Sequence, residues 1–230
     1  MGSRAVVPKP KIRRVNMLDQ IIEVIKERVL DRTYSSGCNL NVDELARELS
    51  VSATPIRESL GRLVAEGLLR AEPYVGFFVA DMPSFEYFQQ LYDYRLVVEP
   101  WAAAKTARLR PAAQLSIMHE SVDAMKEGAL SKRYARFRGY SEADEAFHKA
   151  ILTGVGNEPA LKAYSHLMIH LHLSRLYIDR DLDTQESLQQ HQTILEATIA
   201  GNPDLAENMM RTHLLAARQN LLNPNGGESD

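Results

Sequence analysis

The chain has 230 residues, 45% of them hydrophobic, which is enough for two cored domains of ordinary size and argues against a disordered body. No window approaches eighteen uninterrupted apolar residues and no apolar signal core opens the chain, so the sequence predicts neither a membrane span nor export. A single cysteine, Cys38, cannot form an internal disulfide, and the net charge of −3 divides into +2 over residues 1–80 and −5 over residues 81–230.

Residues 1–16 read as a basic flexible arm. Arg4, Lys9, Lys11, Arg13 and Arg14 precede any acid, and such an arm either touches phosphates or is a solvated tail. The first helix follows from Leu18, Ile21, Ile22, Ile25 and Val29, spaced three and four apart, and stops at the turn-forming run Thr33-Tyr34-Ser35-Ser36-Gly37. Asn41 is placed to cap a short helix from Val42 to Leu49 that turns Leu45, Ala46 and Leu49 inward. After a turn at Ser50-Val51-Ser52, a third helix runs from Ala53 to Glu66, burying Ile56, Leu60, Leu63 and Val64 and ending at Gly67. Leu68-Leu69-Arg70 and Phe77-Phe78-Val79, separated by Glu72-Pro73-Tyr74-Val75-Gly76, form the one hairpin signal in the chain. Three helices and a hairpin over residues 17–80 make a winged helix-turn-helix, whose third helix would face base edges in a major groove.

Residues 84–222 are helical in pattern, with helices expected over 84–108, 111–128, 132–154, 158–179, 185–200 and 203–222. Pro111, Pro159 and Pro203 sit where first helical residues belong, while Pro100 predicts a kink or break inside its helix. The fold class is mainly α: an N-terminal winged helix-turn-helix followed by an all-α bundle, with a disordered tail expected over 223–230.

The segment LNVDELARELSVSATPIRESLGRLVAEGLL, followed by GFFV, resembles the winged helix of the GntR family of regulators. The resemblance implies that Ser52, Thr54 and Arg57 bind DNA and that Gly76 lets the wing backbone approach the minor groove. Hydroxyls at a helix N-terminus suit phosphate oxygens, and a guanidinium suits guanine or phosphate. The alternative for Arg57 is a surface ion pair with Glu58 or Glu66. Two positions depart from the family pattern: Ala53, where arginine is common, and Val75 at the wing tip.

Residues 84–222 resemble the FCD effector domain of the FadR subfamily. The resemblance rests on Arg95-x-x-x-Glu99, on DEAFHKAILTGVGN from Asp144, on HQTILEA from His191 and on MMRTHL, which carries His213. Asp144 and His148, four apart, share one helix face, and His191 and His213 lie near the middles of the last two helices. The resemblance implies that these four residues hold a divalent transition metal, zinc first, with nickel or manganese as alternatives. Singly, each histidine has the reading of a hydrogen-bonded core residue. His166 and His170, also four apart, form a rival pair or line a pocket with His172. Arg95 is the expected counter-charge for a small carboxylate or hydroxy-acid effector, unless it pairs with Glu99.

Together these features predict a cytoplasmic, homodimeric regulator, a repressor, that binds double-stranded operator DNA and responds to a small carboxylate through its metal-containing domain. Two alternatives remain: a regulator for which the metal is itself the signal, and a metal-dependent hydrolase or lyase. The second finds no HExxH run or nucleophile motif in the chain.

Overall fold

The computed structural model describes residues 17–130, 133–170, 172–173 and 184–222; the expected N-terminal arm and C-terminal tail lie outside these residues. The chain forms two units, residues 1–80 and 81–230. None of the described helices is long and apolar enough to cross a membrane.

In the first unit, helix α1 (Met17–Leu30) buries the whole predicted stripe of Leu18, Ile21, Ile22, Ile25 and Val29. Asn41 caps α2 (Val42–Glu48), its side chain accepting from the N–H groups of Asp43 and Glu44. Ser50, at φ 55°, makes the turn into α3 (Ala53–Ala65), which buries Ile56, Leu60 and Leu63. Gly67 ends that helix in the left-handed region (φ 74°), and Leu68 N–H returns to the Leu63 carbonyl at 3.0 Å. This closure uses the last carbonyls of α3 and throws the chain straight into the hairpin.

The hairpin pairs β2 (Leu69–Glu72) with β3 (Gly76–Val79), antiparallel, with Leu69 opposite Val79. A third strand, β1 (Asn39–Leu40), corrects the reading of the hairpin as the only β-structure: it pairs with the far side of β3, Leu40 opposite Phe77. Two residues are too few to show alternation, so only its pairing reveals it.

Among its described residues the second unit is helical, without strands: α4 (Phe85–Leu109), α5 (Ala112–Leu130), α6 (Arg133–Gly154), α7 (Glu158–His166), α8 (Thr184–Ile199) and α9 (Pro203–Leu222). Pro203 opens α9, Pro159 is the second residue of α7, and Pro111 immediately precedes α5, its carbonyl accepting from Gln114 and Leu115. Helix α4 passes through Pro100 without the break that was allowed for there. Proline costs this helix one hydrogen bond, and the buried face around it, with Glu99, Ala102 and Ala103, outweighs that loss. The helix expected over 158–179 instead stops at His166; Met168 adopts φ 46°, and a further helical turn begins at Ile169.

The close seat of α6 on α4 positions the site described next. A Cβ on Gly154 would lie 2.6 Å from the Thr106 methyl, and Thr106 Oγ1 donates to the Ile151 carbonyl at 2.8 Å. Only glycine permits that approach, which brings the α6 face carrying Asp144 and His148 against Glu99 of α4.

Candidate functional site

Two clusters answer to the sequence reading, one on the outside of the first unit and one inside the second. The first is the N-terminus of α3. Ser52 has the backbone of an N-cap (φ −77°, ψ 163°), yet its hydroxyl makes no capping bond. The sequence explains why: the third helical residue is Pro55, so one of the two N–H groups an N-cap normally satisfies is missing. Ser52, Thr54 and Arg57 are all exposed. The ion pairs considered for Arg57 do not form; Glu58 pairs with Arg62 and Glu66 with Lys26. Gly76 sits at φ 137°, a conformation that side chains other than glycine's rarely adopt, and begins the return strand of the wing. At the tip, Tyr74 is fully exposed beside Val75, an aromatic the sequence reading had passed over.

The second cluster lies in the helical bundle. One ligand-type atom from each of Asp144, His148, His191 and His213 falls within 4.8 Å of the others, and the three histidines are buried. His191 Nε2 is 3.0 Å from Asp144 Oδ1 and 3.3 Å from His148 Nε2, and His148 Nε2 is 3.7 Å from the same carboxylate oxygen. Four donors bonded at about 2 Å to a common tetrahedral centre stand roughly 3.4 Å apart, the scale of these contacts.

Each imidazole is oriented through its other nitrogen. His191 Nδ1 donates to the Ser187 carbonyl at 2.7 Å, His213 Nδ1 to Gln190 Oε1 at 2.9 Å, and His148 Nδ1 lies 2.6 Å from Glu99 Oε2. These partners are acceptors, so each Nδ1 carries a proton and each Nε2 faces the common centre; oriented metal ligands have this arrangement. Asp144 is held likewise, with His170 Nδ1 at 2.9 Å from Oδ2, leaving Oδ1 toward the histidines. The outer partners then close a ring. Tyr164 Oη is 3.1 Å from His170 Nε2 and donates to Glu99 Oε1 at 3.0 Å, and Arg95 Nε donates to that same oxygen at 2.6 Å.

The charges follow from this packing. Burial alone would lower the His148 pKa, but the Glu99 and Asp144 carboxylates outweigh it and hold it at about 9. Burial pulls His213 well below the usual histidine range, and the neighbouring His191 and His148 push it the same way; burial also lowers His170. Burial opposes ionisation of both carboxylates, yet Arg95 and His148 keep Glu99 low, and His148 with His170 and His191 keeps Asp144 low. The cluster around neutral pH is therefore a buried set of Arg95 and His148 cations balanced by Glu99 and Asp144 anions.

All four expected ligands are thus brought together. Arg95, the expected effector contact, is buried and forms the i,i+4 pair with Glu99 that was its alternative reading. The rival pair does not form. His166 is exposed at the end of α7, whereas His170 lies inside against Asp144, and His172 packs edge-on against Tyr87 at 5.8 Å. Sequence reasoning missed the outer roles of Glu99, His170, Tyr164 and Gln190. One signal was available for Glu99, an acid four residues from the one arginine of a largely apolar helix face.

Comparison with known proteins gives the family of each unit. Residues 18–79 match the family model for bacterial regulatory proteins of the gntR family, and residues 90–216 match that for the FCD domain. The probable D-xylose utilization operon transcriptional repressor of Paenarthrobacter nicotinovorans is 25% identical over 217 residues, covering 94% of each chain. The galactonate operon transcriptional repressor of Escherichia coli (strain K12) is 24% identical, over 90% of this chain and 97% of its own. The solved structure of E. coli McbR/YncC superposes with a TM-score of 0.71 at 19% identity, over 91% of this chain and 98% of that one, a likeness of fold.

Proposed function

The chain belongs to the bacterial gntR family as a DNA-binding transcriptional repressor with an FCD domain, and from that premise we propose that a small carboxylate or hydroxy acid, bound at a metal held by Asp144, His148, His191 and His213, sets its affinity for operator DNA. Its matched domains and relatives are those of a regulator rather than an enzyme.

The observation that carries the reading is the convergence of three Nε2 atoms and one carboxylate oxygen on one point. The donor set suits zinc, nickel or manganese, and such an ion would supply a Lewis-acidic centre with positions open to an oxygen ligand. Charge then favours an anion. In the metal-free protein the buried charges balance with His148 protonated; a divalent ion in place of that proton leaves the set one positive charge in excess. A carboxylate is the natural partner for that excess, and the galactonate repressor is named for an operon that concerns a sugar acid. Arg95 contributes to this balance through Glu99.

On the DNA side, Ser52 and Thr54 are free to meet phosphate oxygens at the α3 N-terminus, Arg57 to reach a base edge or phosphate, and Gly76 to bring the wing backbone close. The protein acts as a homodimer on a two-fold operator in the cytoplasm. Effector control requires that the effector bind the DNA-competent and DNA-incompetent states with different affinity.

Elemental analysis of the purified protein, alongside Asp144→Ala, tests the centre. About one metal per chain, lost in the variant, is expected, and a screen of sugar acids against operator binding then identifies the effector class. Metal-free wild type prepared without chelators, or a variant that keeps its full metal content, overturns the assignment. Rapid metal exchange coupled to DNA release, with no response to carboxylates, would make the metal itself the signal.

A further inference from the structure

The wing of the first unit ends in a turn whose third residue does not suit its backbone. Val75 N–H donates to the Glu72 carbonyl at 3.1 Å, closing a four-residue turn with Pro73 second and Tyr74 third. Proline fits the second place, but Tyr74 stands at φ 64°, where such turns normally take glycine or asparagine. A tyrosine there costs the hairpin stability, and its ring returns nothing to the fold, since it is fully exposed. Val75 beside it is 63% exposed. A residue held in a strained backbone and turned wholly to solvent points to a use outside the chain.

The charges of the wing narrow that use. From Ala71 to Val79 the only charged residue is Glu72. Its carboxylate pairs with Arg70, whose guanidinium also lies 4.6 Å from the centre of the Phe78 ring. The tip therefore offers DNA no cation of its own, neither to phosphate nor to the negative potential of a narrow minor groove. What it offers is a flat ring and a branched apolar side chain, on a hairpin whose close approach Gly76 permits. Proteins that bind the minor groove use apolar side chains as wedges between base pairs, partly unstacking one step and bending the duplex. An aromatic face also stacks on any base.

We propose that Tyr74, together with Val75, is an apolar wedge: its ring enters the minor groove and opens one base step, so that this position of the operator favours flexible pyrimidine–purine steps. The inference rests on the operator-binding reading above. It adds a sequence preference that no hydrogen bond to a base edge supplies.

The full chain tests this on a duplex that the wild type selects from a random-sequence pool. Tyr74→Ala should bind that duplex about tenfold more weakly, and Tyr74→Phe should stay within about twofold of wild type, because the ring and not the hydroxyl is the wedge. The slope of log affinity against log salt should be the same in Tyr74→Ala as in wild type, since no phosphate contact is lost. A fluorescent purine analogue, placed at successive positions of the flank, should brighten on unstacking at one step with wild type and Tyr74→Phe, and at none with Tyr74→Ala. Tyr74→Gly separates wedge from scaffold. Glycine suits the turn, so the urea midpoint should stand at or above that of wild type while DNA affinity falls as it does in Tyr74→Ala. Unchanged affinity in Tyr74→Ala or Tyr74→Gly, a Tyr74→Phe as weak as Tyr74→Ala, or a flank that never brightens would each overturn the wedge. Arg57→Ala on the same duplex keeps the two readings apart. Binding lost there with Tyr74→Ala unchanged removes the wedge alone, whereas binding unchanged in Arg57→Ala removes the recognition helix on which the wedge rests.

Discussion

The two units handle polar chemistry in opposite ways. In the winged helix, the residues assigned to recognition are exposed, and the α3 N-terminus keeps its cap hydroxyl uncommitted. In the helical unit most polar groups of the cluster are engaged within the protein, ligand to outer acceptor and outer acceptor to Arg95 or Tyr164. A surface that waits for a macromolecule needs no partner in the free protein, because water satisfies it. A buried site must satisfy itself, since unpaired polar groups are costly there. Substitutions should therefore separate cleanly: those of the exposed recognition residues cost function without stability, and those in the buried cluster cost both.

The largest effect is expected at Glu99. Glu99→Ala leaves the Arg95 guanidinium buried without its carboxylate and releases His148 from its outer acceptor. Breaking a buried pair from one side costs about 3–5 kcal/mol, which a urea titration would resolve. A loss below about 1 kcal/mol would mean that Arg95 finds water, and that the cluster is less enclosed than its burial implies.

Arg57→Ala is the converse case. Removing an exposed guanidinium should leave the urea midpoint and metal content unchanged, while operator affinity falls about tenfold to a hundredfold. Equal DNA affinity in a gel-shift titration would remove α3 as the reading helix.

The distinction also marks how far the sequence could be read. The α1 stripe and the Asn41 cap were visible because periodicity and local capping are written along the chain, whereas the four ligand-type residues stood out through the resemblance to the FCD domain. What the chain could not show were relations across it. Strand β1 exists only through β3, and His170 matters only because the break at Leu167–Met168 turns it away from the exposed His166 and onto Asp144. Pro100 argued for a kink or a break by its local chemistry, and the packing of a 25-residue helix carries the chain through it unbroken.

A pH titration sharpens the buried side. With Glu99 and Asp144 beside it, His148 has its pKa raised to about 9, so in the metal-free protein its charge contributes stability that is complete below the unfolded value of 6.5 and lost as pH rises through 9. A metal must displace that proton. Apparent metal affinity should thus climb by up to about tenfold per pH unit as pH rises toward about 9 and level off above it, with about one proton released per ion bound at neutral pH. Calorimetry in buffers of different ionisation enthalpy counts that proton. A pH-independent affinity would show that His148 is neutral before the metal arrives.

The smallest expected effect is the most discriminating, because it compares two helix caps within one unit. Asn41 and Ser52 stand at equivalent positions, before α2 and α3. Asn41 accepts from two backbone N–H groups at 2.9 and 3.1 Å, and Asn41→Ala should cost about 1 kcal/mol of stability. Ser52 accepts none, so Ser52→Ala should cost no more than a few tenths of a kcal/mol. Their effects on DNA should run in the opposite order. Ser52→Ala removes an exposed hydroxyl at the positive end of the recognition helix and should weaken operator binding severalfold, whereas Asn41→Ala should leave it nearly unchanged at temperatures where the unit stays folded. If Ser52→Ala destabilised the unit as much as Asn41→Ala, its hydroxyl would be a structural cap in solution. The α3 N-terminus would then be closed to phosphate, and recognition would fall to Arg57 and the wing.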